Sequence, residues 1–342
     1  MIKNSRNILF RTDANPEIGL GHLSRCVSLA LEFKKLNHNV IFVIRNNDTA
    51  KEYLAYYELD YIIIDNMIAK KEMQFISKIV EDNKVKIVFI DSYELNSNSV
   101  YLNFFKKIKN ITVVTIEGFK KYPVQGDIII NPNLFASDKV KFYDQKKSKL
   151  LFGINYSLLK PDYLNAALNN KERNNILVTF GGSDSQNATI PILNALKDLK
   201  HSILVVIGPF FDERNTERIK QICNLHDNIS CFENLTDLKS LYKKSFIAIC
   251  AAGVTVSELI YFNIPALVYY TSDNQKLIAQ KYDGLQLGLN LGDFNDFDNE
   301  FLKKKLDLLV CNRYSYFLKN NKKKMKGNPV RRVVEEITDY IK

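Results

Sequence analysis

The 342-residue sequence has no tryptophan, five cysteines and four histidines. The cysteines are scattered and none forms a Cys-x-x-Cys pair, so neither a zinc site nor a disulfide framework is expected. No apolar run approaches the roughly 20 residues that cross a bilayer. Residues 1–6 lack the apolar core of a signal peptide. We therefore expect a cytoplasmic protein with no stable membrane insertion.

The sequence is long, apolar enough to pack, and positively charged. Apolar residues make up 46%, and 342 residues suit two domains of ordinary size. Much of the net charge of +10 lies in residues 322–326 and at Arg331 and Arg332. This basic segment is compatible with a nucleic-acid or anionic membrane surface, or with a solvated helix face. Because its basic residues are not interleaved with aromatic platforms, we expect no nucleic-acid partner and favour an anionic small-molecule substrate.

Short β-branched runs alternate with segments of helical length, such as residues 70–82. The predicted strands are residues 8–11, 40–44, 61–64, 87–90, 112–116 and 127–130 in the first half, and 176–180, 203–207, 246–250 and 266–270 in the second. Continuous apolar strands separated by helices are typical of parallel sheets covered on both faces. The pattern predicts an α/β protein with two doubly wound, Rossmann-like domains facing a cleft.

A segment rich in asparagine and charge, about residues 158–174, separates the two halves. We predict an N-terminal domain over residues 1–158 and a second domain over residues 174–310. Residues 311–342 are expected to form a C-terminal helical tail.

The segment RTDANPEIGLGHLSRC, residues 11–26, joins the first predicted strand to a helix and contains two glycines and His22. A dinucleotide fingerprint would need a third glycine where Ser24 stands and an acid where the second strand ends in Arg45. A Walker phosphate loop would need Lys-Ser/Thr where His22 and Leu23 stand. The sequence therefore disfavours the first interpretation and excludes the second.

The remaining interpretation is a helix start at the cleft. Gly19 and Gly21 would allow a tight, left-handed approach of the backbone, and free amide groups would favour an anion. A histidine in that position can act as a general base near neutral pH. The alternative for His22 is a local capping or packing role.

Two glycine turns follow strands in the second half. In FGGSDSQN, residues 180–187, Gly182 lets the backbone approach a phosphate and Ser183 can donate a hydrogen bond. AAGVTVSEL, residues 251–259, repeats this arrangement around Gly253. Both turns are predicted to contact the phosphates of a nucleotide.

Polar residues near these turns complete a predicted nucleotide site. Thr255 lies near a helix start and Glu258 would bind the ribose hydroxyls, although Thr-x-x-Glu is also the pattern of a helix capping box. In SDNQ, residues 272–275, Asn274 and Gln275 are neutral hydrogen-bonding groups. Three polar turns after three strands of one sheet predict a small-molecule site.

These motifs resemble one family. RTDANPEIGLGHLSRCVSLA is similar to the signature RxDxxxxIGxGHxxRxLxLA of the UDP-2,4-diacetamido-2,4,6-trideoxy-β-L-altropyranose hydrolases of pseudaminic acid biosynthesis. That family resembles the spore-coat polysaccharide G proteins and glycosyltransferases of the two-domain B type. The resemblance continues through IDSYEL, INPN, GINYSLLKPDY, FGGSD, AAGVTVSEL and DNQ, and it covers roughly residues 7–290.

The resemblance implies hydrolysis of a UDP-linked diacetamido-trideoxy sugar to UDP and free sugar. His22 would orient or deprotonate the water that attacks the anomeric carbon. The N-terminal domain would hold the sugar and the second domain UDP. No metal or cofactor is expected, because helix dipoles and neutral donors can stabilise a leaving diphosphate. The residues placed in substrate binding are Asp13, Gly19, Gly21, Arg25, Tyr93, Asn133, Gly182, Ser183, Gly253, Thr255, Glu258, Asn274 and Gln275.

Two departures from the family pattern matter for the substrate. Glu117-Gly118 stands where the family carries Asp-Asp, which leaves the exact sugar open, and Ala252-Gly253 replaces a glycine pair. The alternative enzyme is a B-type glycosyltransferase that uses a UDP-sugar donor, and a non-catalytic nucleotide-sugar sensor is a different class. His22 argues against the sensor, since UDP binding would not require it. The sequence predicts no particular oligomeric state.

Overall fold

A computed structural model of the chain describes residues 5–14, 20–65, 67–92, 94–118, 123–164, 173–233, 235 and 237–341. The chain divides into two compact units. Unit 1 comprises Met1–Leu164 together with Asn328–Lys342, and unit 2 comprises Asn165–Gly327. Each unit contains one parallel sheet flanked by helices, which confirms the predicted α/β class and the two Rossmann-like folds.

Unit 1 contains a seven-stranded parallel sheet in the order β3-β2-β1-β4-β5-β6-β7. Its strands are β1 (Asn7–Thr12), β2 (Asn39–Arg45), β3 (Tyr61–Ile64), β4 (Val85–Asp91), β5 (Thr112–Ile116), β6 (Ile128–Asn131) and β7 (Lys149–Phe152). Its first helices are α1 (Gly21–Lys35), α2 (Asp48–Tyr56), α3 (Ala69–Asp82), α4 (Ser99–Lys106) and α5 (Ala136–Lys139). Short 3-10 turns occupy Leu95–Ser97, Val140–Phe142, Ile154–Tyr156 and Pro161–Tyr163.

Residues 8–10, in the middle of the central strand β1, are all apolar because both faces of the sheet are covered there. Ile8 and Phe10 join the core cluster that includes α1, whereas Leu9 joins the cluster formed with α3 and α4. The Phe10 ring stacks on Phe42 and Phe89, with ring centroids 5.1 and 4.3 Å away. Burial on both faces removes the polar–apolar alternation of a half-exposed strand.

Unit 2 contains a six-stranded parallel sheet in the order β10-β9-β8-β11-β12-β13. Its strands are β8 (Asn175–Thr179), β9 (Ile203–Val206), β10 (Ile229–Phe232), β11 (Ser245–Ala251), β12 (Ala266–Tyr270) and β13 (Leu289–Asp293). Its helices are α6 (Thr189–Leu196), α7 (Glu213–Leu225), α8 (Lys239–Lys244), α9 (Thr255–Tyr261), α10 (Asp273–Gly284), α11 (Asn299–Asp307) and α12 (Tyr314–Lys324). A 3-10 turn at Phe294–Asp296 and a π-helical segment at Leu308–Arg313 complete it.

All ten predicted strands are present, with ends shifted by no more than two residues. Three strands were not predicted, namely β7, β10 and β13. Each of these lies at an edge of its sheet and is four or five residues long. Their residues are only partly buried for the most part, so the continuous apolar run that marks a central strand is missing.

Residues 311–342 do not form one separate tail. Helix α12 lies within unit 2, whereas α13 (Pro329–Tyr340) packs against α1 in unit 1. Val330, Val333 and Ile337 of α13 are fully buried in the core of unit 1. The Lys149 ammonium lies 2.7 Å from the Glu336 carboxylate and ties β7 to the same helix. Unit 1 is therefore built from two separate stretches of the sequence.

Each sheet reverses its direction of growth once. In unit 1 the chain adds β2 and β3 on one side of β1 and then places β4 on the other side. In unit 2 it adds β9 and β10 on one side of β8 and then β11 on the other. Ligands of doubly wound sheets bind beyond the carboxyl ends of the two strands at such a reversal. None of the described helices is long and apolar enough to span a bilayer.

Candidate active site

His22 lies at the reversal point of unit 1, in the first turn of α1, which follows β1. Asp91 ends β4, and its backbone is paired in register with Thr12 at the end of β1. The His22 Nδ1 atom is 2.7 Å from Asp91 Oδ1. Arg25, one helical turn after His22, donates from Nε to Asp91 Oδ2 at 2.6 Å and from Nη2 to Asp91 Oδ1. The three side chains form a compact charged cluster that we call the His22 cluster.

The His22 cluster is shielded from water. The Asp91 side chain is fully buried, His22 is 7% exposed and Arg25 is 20% exposed. Burial alone would raise the pKa of Asp91, but the charge of Arg25, then His22, and their hydrogen bonds hold it well below its usual range. The Cys26 thiol also donates to Asp91 Oδ2 at 3.5 Å. Asp91 is therefore a carboxylate at neutral pH and accepts hydrogen bonds from three sides.

The contacts of Nδ1 bear on the tautomer of the neutral imidazole in opposite ways. The Asp91 carboxylate oxygen at 2.7 Å accepts an N–H group, whereas Arg25 Nη2 at 2.9 Å can only donate, and the carboxylate contact is the shorter of the two. A hydrogen bond between an N–H group and a carboxylate is charge-assisted and short, so we assign the proton to Nδ1. The lone pair then resides on Nε2, which is the arrangement of a histidine oriented for general-base catalysis.

Asp13 belongs to a separate buried network at the end of β1. Its Oδ1 is 2.6 Å from Arg11 Nη1 and accepts the backbone N–H of Arg45 at 3.1 Å. Arg11 also donates from Nε to Glu72 at 2.8 Å, and Tyr101 donates to the same carboxylate at 2.9 Å. Burial opposes the charge on Arg11, but Asp13 and Glu72 raise its pKa above the ordinary value. Asp13 thus holds β1 to β2 in the present structure.

Asn133 belongs to a third polar group, beyond β5 and β6. Its side-chain N–H donates to Asn131 Oδ1 at 2.9 Å, and Asn131 in turn donates to Glu117 at 3.1 Å. The buried Glu117 carboxylate also accepts hydrogen bonds of 2.8 Å from Lys139 and from Tyr143. Glu117, which departs from the family pattern, therefore has three hydrogen-bond donors within unit 1.

The predicted left-handed turn before His22 is wrong at Gly21. Gly21 is the first residue of α1, and its φ lies outside the left-handed region. A Cβ atom added there would meet nothing within 4 Å. The helix begins early because Leu20 is already in the right-handed helical region. Gly19 and Tyr93, two further predicted site residues, lie outside the described residues.

The glycine turn after β8 is exposed, and its backbone is left-handed at Gly181. Gly181 has a φ of +77°, which a side chain would disfavour, and Gly182 and Ser183 are exposed. Helix α6 begins at Thr189, just after the FGGSDSQN motif ends. The Asp184 carboxylate already accepts the backbone N–H groups of residues 188 and 189, at 2.8 and 3.0 Å. The turn therefore presents its own backbone rather than a helix end.

The turn after β11 leads directly into α9. Gly253 has open space around its Cα, and Thr255 is the first residue of α9. The capping-box alternative is disfavoured, because Val254 occupies the N-cap and no side chain caps the helix. Glu258 instead accepts a 2.5 Å hydrogen bond from the phenol of the buried Tyr242. Its carboxylate is thus held in place from α8.

Asn274 and Gln275 lie in the first turn of α10, after β12. Gln275 Oε1 accepts hydrogen bonds from the backbone N–H and hydroxyl of Thr271 at 3.0 and 3.2 Å. The Ser272 hydroxyl donates to Asn274 Oδ1 at 2.5 Å. Since β8, β11 and β12 are neighbours in the sheet, the structure brings the three predicted polar turns to one edge.

Two residues important for this geometry were not among the predicted site residues. Asp91 ends an apolar run in the IDSYEL motif, but its contact with His22 can be predicted only if β4 is known to lie beside β1. Tyr242 lies on a six-residue helix with no distinctive pattern. Among the described residues, no group of three or more His, Cys, Asp or Glu side chains could hold a metal ion.

No protein-family model matches the chain, but sequence comparison finds several related proteins. It is 28% identical over 285 residues to an uncharacterised protein of Methanocaldococcus jannaschii, covering 79% of this chain but only 57% of that protein. It is 24% identical over 270 residues to the UDP-2,4-diacetamido-2,4,6-trideoxy-β-L-altropyranose hydrolase of Campylobacter jejuni, covering 77% of this chain and 91% of the hydrolase. It is 23% identical over 291 residues to the spore coat polysaccharide biosynthesis protein SpsG of Bacillus subtilis, covering 82% and 83%.

The chain is a distant relative of this hydrolase and of SpsG. The predicted family resemblance is thereby confirmed. The chain also shares the fold of MurG from Acinetobacter baumannii. The TM-score is 0.70 at 14% identity, and the match covers 98% of this chain and 99% of MurG. The UDP-GlcNAc 2-epimerase of Neisseria meningitidis gives a TM-score of 0.68 at 14% identity, with coverage of 97% and 100%. These similarities show the glycosyltransferase-B fold.

Proposed function

We propose that the protein hydrolyses a UDP-linked diacetamido-trideoxy sugar to UDP and the free sugar, as a step of pseudaminic or related nonulosonic acid biosynthesis. The observation that carries the proposal is the 2.7 Å contact between His22 Nδ1 and Asp91 Oδ1 at the reversal point of unit 1. The names of the Campylobacter and Bacillus relatives support the substrate class. The protein is accordingly proposed to be a cytoplasmic enzyme.

The chemistry needs one proton acceptor and one leaving group. His22 Nε2 would take a proton from water as the water oxygen bonds to the anomeric carbon. The bond between that carbon and the diphosphate oxygen breaks, and its electron pair leaves with UDP. Asp91 would hold the imidazole in the required tautomer and stabilise the imidazolium that forms. Arg25 would keep Asp91 ionised, because its guanidinium bonds to both carboxylate oxygens.

Unit 2 would bind the nucleotide. Its turns after β8 and β11 offer backbone N–H groups and the hydroxyls of Ser183 and Thr255 to a diphosphate. Glu258, held by Tyr242, would accept hydrogen bonds from the ribose hydroxyls. Asn274 and Gln275 would add neutral donors. These donors stabilise the charge that develops on the leaving diphosphate without a metal ion.

The test is incubation of the purified protein with a panel of UDP-linked diacetamido sugars, followed by NMR of free UDP and free sugar. Equimolar release of both in buffer alone is the expected result. Release that depends on an added sugar or alcohol acceptor would replace hydrolysis by glycosyl transfer. Binding of UDP-sugars without turnover of any of them would leave a sensor as the function.

A further inference from the structure

Phe210 is an exposed aromatic residue beside the glycine turn of unit 2. Its side chain is 55% exposed, and it lies on the loop after β9, the neighbour of β8 in the sheet. Its backbone N–H donates to the Gly182 carbonyl at 2.9 Å. A Cβ atom at Gly182 would lie 3.6 Å from Phe210 Cδ2. The ring therefore stands directly against the turn proposed to receive the diphosphate.

The loop that carries Phe210 is closely packed onto that turn. A Cβ atom at Gly208 would lie 2.3 Å from the Gly181 carbonyl oxygen and 2.5 Å from that of Gly182. Only glycine allows this approach, and Pro209 restricts the backbone that follows. Phe211 donates its backbone N–H back to Gly208 at 3.2 Å, which closes the loop. The position of Phe210 is thus fixed by backbone contacts on both sides.

The other exposed aromatic rings described in unit 2 have a basic side chain over them. Lys305 Nζ lies 5.1 Å from the centroid of Phe301, and the Arg313 guanidinium lies 6.0 Å from that of Tyr316. Within the described residues, Phe210 has no aromatic or cationic partner of this kind. The exposed ring of Phe210 is therefore available to stack on a flat ligand.

We propose that Phe210 is the stacking platform for the pyrimidine base of the nucleotide. This inference rests on the proposed UDP-sugar substrate and assigns the base to the β9 side of the glycine turn. A flat aromatic ring gains by stacking on another flat ring, and base–aromatic stacking tolerates any base because every base has a π-face. Stacking on Phe210 would thus add affinity for the base without selecting among bases, while Glu258 would bind the ribose.

The first test is calorimetric titration of Phe210→Ala with UDP and with pyrophosphate, which has no base. UDP affinity should fall by about 5- to 150-fold, the range for loss of one stacked base. Pyrophosphate affinity should not change. Phe301→Ala is the matched control, because it removes another exposed phenylalanine of unit 2 and should leave both affinities unchanged.

The second test uses the absence of tryptophan from the chain. Phe210→Trp introduces a single tryptophan, whose fluorescence a stacked base should quench. Quenching by UDP but not by pyrophosphate is expected, and Phe301→Trp should give no quenching by either.

The outcomes separate this inference from the proposed function. If wild-type protein binds UDP and Phe210→Ala binds it equally well, the stacking role is overturned and the UDP-sugar assignment stands. If Phe210→Ala loses affinity for the intact UDP-sugar but not for UDP, the ring contacts the sugar and the inference is wrong. If wild-type protein binds neither UDP nor UDP-sugars, both fail together.

Discussion

The His22 Nδ1 atom and the Asp91 Oδ1 atom lie 2.7 Å apart, although 69 residues separate them in the sequence. The contact exists because the chain returns from β3 and places β4 beside β1, so the end of β4 meets the helix that follows β1. Arg25 completes the pair from the same helix as His22. This arrangement makes the catalytic proposal testable one residue at a time.

Replacement of His22 by alanine should abolish most of the turnover without loss of nucleotide binding. We expect kcat to fall by roughly 10²–10⁴-fold, the usual contribution of a general acid–base group. UDP affinity, measured by calorimetry, should stay near the wild-type value because unit 2 would hold the nucleotide. His201→Ala, which changes an exposed histidine of unit 2, is the control and should keep full activity. Near-normal turnover in His22→Ala would assign His22 a local structural role.

Asp91→Asn should impair catalysis almost as much as loss of the histidine. The amide can donate to Nδ1 and thereby favour the tautomer with the proton on Nε2, which cannot accept a proton from water. We expect kcat to fall by roughly 10²–10⁴-fold, with little change in UDP affinity. Steady-state kinetics and calorimetry on the same preparation measure both quantities. Unchanged kcat would show that Asp91 serves stability alone.

The same carboxylate should make stability depend on pH in the acid range. The pKa of Asp91 is lower in the folded protein than in the unfolded chain, so ionised Asp91 stabilises the fold above its unfolded pKa of about 3.9. At pH 7, Asp91→Asn should lower the free energy of unfolding by about 1.5–3 kcal/mol. That difference should shrink as pH falls below about 4. Urea unfolding of both proteins at pH 7 and pH 3.5 measures it, and a constant difference would contradict the assignment.

Glu258→Ala should weaken UDP binding through the ribose. Two hydrogen bonds are lost, each worth about 0.5–1.5 kcal/mol. Tyr242→Phe should weaken binding by a smaller amount, because the carboxylate stays but loses its 2.5 Å phenol donor. The control ligand is 2′,3′-dideoxyuridine diphosphate, which should bind wild type and Glu258→Ala equally. Equal loss of both ligands would mean that Glu258 supports the fold of α9 instead.

Activity should persist in excess EDTA. Two buried carboxylates of unit 1 already have cationic partners, since Asp91 binds Arg25 and Glu117 binds Lys139 at 2.8 Å. A magnesium or manganese ion would have to displace these side chains before either carboxylate became a ligand. Turnover before and after EDTA treatment is the measurement. Loss of turnover that magnesium or manganese restores would make Asp91 and Glu117 the first ligands to replace.

Central strands could be predicted because both of their faces are buried, which makes their sequences continuous apolar runs. Residues such as 87–90 are buried on both faces, and that burial is visible as an unbroken run. The edge strands β7, β10 and β13 lack this signal. Their pairing is decided by long-range register, as in the alignment of Ile128 with Lys149. Local sequence carries no information about that partner.

The site was predictable where a rare residue marks a turn. His22 is one of four histidines and follows a glycine, so the chain alone singles it out as a candidate general base. Asp91 could not be assigned to His22, because the pairing depends on the order of strands in the sheet. The left-handed turn expected at Gly21 was wrong because Leu20 already starts the helix. Candidate functional side chains can thus be named from the sequence, but which of them contact one another depends on the strand order.

The position of α13 has a consequence for the order of folding during synthesis. Unit 1 needs Val330, Val333 and Ile337 to cover its core, and these residues leave the ribosome after all of unit 2 has been made. Unit 2 can therefore complete its sheet first. Until α13 is made, the face of α1 that α13 covers in unit 1 stays exposed to solvent. A nascent chain that stalls before residue 328 would present that face to chaperones and proteases.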